Sequence, residues 1–192
     1  MIADHDRSKW FGASDTYSIM GNWETKTFRN WWAAKLGIRT SNYATVAMNA
    51  GTYYEHAILA AIGAPRTDHQ IIIPELSLRV NLDGDGPGEI YEVKTYKADT
   101  TFKVKKQYWQ QVQVQIYAKM KEDNTEILPT ATVVSYGLFP EDYKNFFLPV
   151  DNARIGFHEV EYDPDFVDMY LNRLRYLKKC LDDRRWPHES DI

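Results

Sequence analysis

Two rhythms of apolar and polar positions divide this chain into elements. The N-terminal third reads as helical. Ser14 can cap a short helix through Ile19-Met20 before Gly21, and the segment from Thr27 to Leu36 stops at Gly37. A third helix runs from Met48 to Ile62, before Gly63. Strand signals follow: Gln70 to Ile73, Leu76 to Leu82 and Glu89 to Tyr96, separated by Pro74 and a Gly-rich turn. Val104 to Met120 reads as a long helix. Thr130 to Tyr136 is a β-branched run suited to the centre of a sheet, and Asn145 to Val150 and Gly156 to Tyr162 read as further strands. At the C-terminal end Asp163 is placed to cap a helix, Pro164 fits its first turn, and Phe166, Met169, Tyr170, Leu174 and Leu177 form an apolar stripe. Helices, then a mixed sheet, a helix, more sheet and a final helix predict an α/β or α+β protein with about five strands.

Composition narrows the class without naming a function. With 192 residues, 44% of them hydrophobic and 26% charged, the chain suffices for one domain, a helical part over about 7–63 and a sheet-and-helix part over about 70–183. No apolar run has the length of a membrane span, and the first residues lack the apolar core of a signal peptide, so a cytoplasmic location with no membrane partner is expected. One cysteine, Cys180, leaves no intrachain disulfide and no Cys-based zinc site. The net charge of −4 argues against a phosphate-rich partner overall. Local charge says otherwise: Lys94, Lys97, Lys103, Lys105 and Lys106 fall within thirteen residues.

Those lysines follow the most informative segment, Asp83-Gly-Asp-Gly-Pro-Gly-Glu-Ile-Tyr-Glu92-Val-Lys94. Residues two apart on a strand share a face, so Glu92 and Lys94 point together while Val93 points into the core. The turn folds Asp83, at the end of the preceding strand, back beside Glu92. Two carboxylates and an ammonium in one volume are what metal-assisted phosphodiester hydrolysis requires: hard oxygen ligands, and a cation near water or phosphate. Asp85 and Glu89 read as turn or surface residues. Glu55 lies among apolar neighbours in the third helix, where its carboxylate either faces solvent or completes the oxygen-rich site. On the long helix Gln111 and Gln115 are four apart and share a face, with Gln107 a turn earlier and Gln113 well around from them. The five histidines show no zinc-ligand spacing, and no P-loop or dinucleotide fingerprint is present. Trp10, Phe11, Trp23, Trp31 and Trp32 suit core packing, or stacking on a DNA end.

Taken together, Glu55, Asp83, Glu92-Val-Lys94 and Gln111-Val-Gln113 resemble the PD-(D/E)XK nuclease superfamily, and in particular its lambda-type phage exonuclease and viral recombinase branch. Arg7-Ser-Lys-Trp-Phe-Gly-Ala-Ser14 is similar to that branch's N-terminal Arg-to-Ser segment, so five motifs stand in the family's order over residues 7 to 117. The resemblance implies a three-layer, restriction-endonuclease-like α/β core with a mixed central sheet. It implies Mg²⁺, or Mn²⁺ in its place, held by Asp83, Glu92, the Val93 carbonyl and Glu55. Lys94 would orient or deprotonate the attacking water, and Gln111 and Gln113 would join the phosphate and water network. Arg7 and Ser14 would contact a 5′-terminal phosphate, and Asn81 would supply a contact where the family carries Ser or Pro. Lys97, Lys103, Lys105 and Lys106 would track the backbone. Implied are 5′-to-3′ digestion of duplex DNA inside a bacterial or phage-infected cell, a trimer, and a single-strand annealing protein as partner. An endonuclease on the same fold and a non-cleaving DNA-binding protein are the competing readings.

Overall fold

The computed structural model describes residues 8–38 and 46–192. Five strands form one mixed sheet in the order β1-β2-β3-β4-β5: Arg66–Ile73, Leu78–Gly86, Glu89–Lys97, Thr130–Leu138 and Ile155–Glu159. All neighbours are antiparallel except β3 and β4, which are parallel and joined by a crossover through helix α4, Lys106–Glu122. Three helices precede α4: α1 (Thr16–Ile19), α2 (Lys26–Lys35) and α3 (Val46–Ala61). α5, Pro164–Asp182, follows the sheet. Among the described residues no helix is long and apolar enough to cross a membrane.

Strand alternation divides the interior into two cores. Ile90 and Val133 belong to a large cluster with Val112 and Ile116 of α4, together with residues of α2 and α5. Val93 and Val134, of opposite parity, belong to a smaller cluster with Ala50, Tyr54 and Ile58 of α3. The sheet is therefore the middle of three layers, with α3 on one face and α4 on the other. The N-terminal aromatics serve the larger core: Phe11 and Trp32 are fully buried, and Trp23 stacks on Phe28 at 5.4 Å.

Several elements depart from the sequence pattern. The Asn145–Val150 region makes turns and no strand, because the Asn145 side chain accepts from the Phe147 N–H at 3.1 Å and offers the backbone a local alternative to a ladder. Met169 is exposed, its expected place on the stripe of α5 taken by Val167 and Leu171. The helix expected to start at Ser14 starts at Thr16, after a 3₁₀ turn (Ala13–Asp15) in which the Asp15 carboxylate accepts from Gly12 N–H at 2.8 Å. β2 continues through Asp83-Gly-Asp-Gly86, and only Pro87 and Gly88, the latter at φ +74°, make the turn. Gly84 is required there by close approach of α3: a Cβ would lie 2.6 Å from a methyl of Leu59.

Extending β2 also changes the fate of Asp85, which the sequence placed in a surface turn and which is fully buried. Arg66 binds its carboxylate through two nitrogens, His69 Nδ1 lies at 3.1 Å and Lys119 Nζ at 3.3 Å. Burial alone would raise the Asp85 pKa, but Arg66, His69 and Lys119 outweigh it and hold it below the ordinary value. Asp85→Ala removes the buried carboxylate that Arg66 and Lys119 share and is expected to cost about 3–5 kcal/mol of stability, measurable as a shift of the urea midpoint with unchanged slope.

Candidate active site

β2 and β3 are ladder-paired at only three positions, Gly84 with Tyr91, Asp85 with Ile90 and Gly86 with Glu89. Beyond Gly84, β2 keeps its partner β1 while β3 keeps β4, so the sheet forks. Asp83 stands at the fork. Its Oδ2 accepts from the Val93 N–H at 2.8 Å, a side-chain bond where the backbone ladder ends. The alternation of β3 then turns Val93 into the α3-side core and presents Glu92 and Lys94 to α4.

Glu92 is 1% exposed and surrounded by donors. Lys94 Nζ and Gln111 Nε2 reach its Oε1, the latter at 2.7 Å, and Gln115 Nε2 reaches its Oε2. Lys94 also lies 5.1 Å from the centre of the Tyr108 ring. Glu55, on α3, acts electrostatically on Asp83, while its carboxylate lies within 4.8 Å of the ligand atoms of His56 and Asp68, which pair with each other at 2.7 Å on the surface.

The carboxylates disturb one another. Burial pushes the Asp83 carboxyl well above the usual range, and Glu92 and Glu55 push it further. Glu55 is raised by burial, then by Glu92. Burial pulls the Lys94 ammonium down, but Glu92 and Asp83 outweigh it, so its pKa is raised. Asp83 and Glu92 at the fork, with Glu55 acting on Asp83 from α3, outnumber Lys94 in charge. These hard oxygens, and the buried Gln115 Oε1 with no hydrogen-bond partner among the described residues, fit a divalent cation such as Mg²⁺ or Mn²⁺ with bound water.

A cavity of about 120 Å³ opens beside Asp83 and Gln111 and includes Ser14 and Asn81 in its lining. Arg79 and Lys35 line it too, two cations absent from the sequence-based set. Arg79 was legible, since Arg79, Asn81 and Asp83 alternate along one strand and share a face. Lys35 was not: it comes from α2, held by Asp15 at 2.7 Å and by the Trp10 carbonyl. Arg7 lies outside the described residues. Lys97, Lys103, Lys105 and Lys106 are all exposed, and among the described residues none of the four is in an ion pair.

Gln113 does not belong to this constellation. It is fully buried on another side of α4, where its Nε2 donates to the Glu161 carbonyl at 2.8 Å and its Oε1 accepts from the Asp163 N–H at 2.7 Å. It anchors the entry to α5. Gln115 takes the site position assigned to Gln113, as its spacing of four from Gln111 indicates.

No family model and no curated protein matches the sequence. Solved structures do match. The alkaline exonuclease LHK-Exo of Laribacter hongkongensis superposes with a TM-score of 0.68 at 20% identity, over 92% of this chain and 90% of that one. Its complex with dAMP matches equally well at 21% identity. A phage-related exonuclease from Haemophilus somnus 129PT gives a TM-score of 0.59 at 13% identity, over 91% and 94% of the two chains.

Replacing Gln113 by Leu removes the buried amide and leaves the part-buried Glu161 carbonyl and Asp163 N–H without it. It is expected to lower stability by about 1–3 kcal/mol, read as a shift of the urea midpoint. The chain is built on the fold of these exonucleases.

Proposed function

We propose that this protein is a Mg²⁺-dependent deoxyribonuclease that removes nucleotides from 5′ ends of duplex DNA. The observation that carries this reading is the meeting of Asp83 and Glu92 with Lys94 where β2 and β3 part, with Glu55 acting electrostatically on Asp83 from α3. The likeness to exonucleases supports it, as does the dAMP complex of LHK-Exo, since dAMP is the size of a single released nucleotide.

In this reading Asp83, Glu92, Glu55 and the Val93 carbonyl hold the cation. When bound, it supplies Lewis-acid activation of water and neutralises charge on the scissile phosphate. Lys94, steered by Glu92 and Tyr108, donates to the attacking water or to a phosphate oxygen, where negative charge grows in the transition state. Gln111 and Gln115 fix both oxygens of Glu92, so the carboxylate keeps one orientation. The cavity with Ser14, Arg79 and Asn81 lies directly beside Asp83, where the terminal 5′-phosphate of a one-nucleotide product would sit. The exposed lysines from Lys97 to Lys106 hold the remaining backbone.

The decisive assay offers linear and covalently closed duplex DNA with Mg²⁺ or with EDTA. The expected result is Mg²⁺-dependent loss of the linear form alone, abolished in Lys94→Ala, with 5′-hydroxyl ends cut about tenfold or more slowly than 5′-phosphate ends. Cutting of the circle would assign an endonuclease, and binding without cutting would assign a DNA-binding protein. Gln115→Leu is expected to weaken Mg²⁺ binding about 10–100-fold, read by calorimetric titration in the absence of DNA.

A further inference from the structure

A second cavity, about 260 Å³, opens between the end of β3 and the start of α4. Tyr96, Phe102 and Tyr108 line it together with Lys97, Lys103 and Lys105. One face of α4 connects it to the candidate active site. Gln115 and Gln111 contact Glu92, Tyr108 a turn earlier carries Lys94 over its ring, and Lys105 precedes the helix with its ammonium 5.7 Å from the same ring. At 1.5 Å rise per residue, Gln111 and Lys105 are about 9 Å apart along the axis, two or three nucleotide steps at about 3.4 Å each. Gln111 of the Ser14 cavity and Lys105 of this one thus stand along α4 at a spacing that suits successive nucleotides of one strand.

The walls are built to receive a flat ring. Phe102 and Tyr108 are parallel within 5° at 6.4 Å. Phe102 is backed by Tyr96 at 5.2 Å and by His158 at 4.8 Å. His158 is held in turn by the Ser135 hydroxyl at 2.9 Å, and Ser135 is the sheet partner of Lys94. The supporting shell thus rests on β3, the strand of Lys94, and on the adjoining β4 and β5. The three lysines make no ion pair among the described residues, leaving their charge for an anion.

We propose that this cavity is a nucleotide subsite for the strand being cut. It takes the nucleotide on the 3′ side of the scissile phosphate, its base stacked against Phe102 and Tyr108 and its following phosphate at Lys103 and Lys105. The assignment of direction rests on the 5′-exonuclease reading above. Stacking accepts any base, because every base offers a π face, so this subsite grips the strand without selecting sequence. Tyr108 is shared with Lys94, so filling the cavity fixes the wall that positions the lysine.

The test uses 5′-phosphorylated duplexes carrying one abasic residue at nucleotide 1, 2 or 8, cut under single-turnover conditions with Mg²⁺. For the wild-type protein, loss of the base at nucleotide 2 is expected to raise the half-saturating protein concentration about tenfold, with little effect at nucleotide 8. Tyr108→Leu and Phe102→Leu should each weaken binding of intact DNA and remove most of the further penalty at nucleotide 2, since base and ring then cease to interact. Phe102→Leu keeps the Tyr108 ring beside Lys94, so the effect is not a displaced lysine. An equal penalty at nucleotide 2 in wild type and variants, or a penalty confined to nucleotide 1, overturns the subsite while leaving the exonuclease reading intact. Failure of the wild-type protein to cut the unmodified 5′-phosphorylated duplex overturns both.

Discussion

Burying an ionised carboxylate costs several kcal/mol even after the protein relaxes, so Glu92, almost wholly withdrawn from water, is affordable only inside a shell of donors. That requirement organises the middle of the molecule. Lys94 must return to it from the same strand, and α4 must present two amides a turn apart, Gln111 and Gln115, at the depth of the sheet. α4 is consequently both a wall of the main core, through Val112 and Ile116, and the supplier of the polar shell. A helix with amides in its buried rows reads as a compromise in a purely structural account. Around Glu92 it is what keeps a charged ligand buried and oriented.

The fork between β2 and β3 does the complementary work. An unbroken antiparallel ladder would satisfy the backbone but leave no opening between the strands. Ending it after three pairs frees Val93 N–H, and Asp83 captures that donor with its side chain. One hydrogen bond thus closes the sheet and fixes a carboxylate at the mouth of the opening. Burial, and then the neighbouring Glu92, raise the proton affinity of Asp83 and of Glu55, a state that a divalent cation relieves. At the other end of the hairpin the Asp85 cluster holds β1, β2 and α4 together: Arg66, His69 and Lys119 meet the buried carboxylate, and Glu122 and Asp123 pair with His69 and Lys119 at its rim.

Much of the site was legible because its spacing is local. Glu92 and Lys94 share a face by strand alternation, Gln111 and Gln115 by helical period, and Arg79, Asn81 and Asp83 by alternation again. Gln113 was misassigned when motif resemblance was given precedence over that periodicity; helix geometry places it on a different side from Gln111. Asp85 was misread for another reason. Asp-Gly pairs favour turns, and nothing near in sequence announces that Arg66, His69 and Lys119 will come from three separate places to bury it.

The sequence by itself determined the helices and most of the strands, the acidic pair with its lysine, and the amide row of α4, since each depends on neighbours within a few residues. Tertiary structure decided where the sheet forks, which carboxylate is buried with cations, and how Lys35 and Trp10 come to border the same cavity as Asp83. It also decided that Tyr96, Phe102 and Tyr108 meet as one wall beside Lys94. These outcomes depend on which groups must share desolvation across the chain, and a one-dimensional pattern does not encode that partnership.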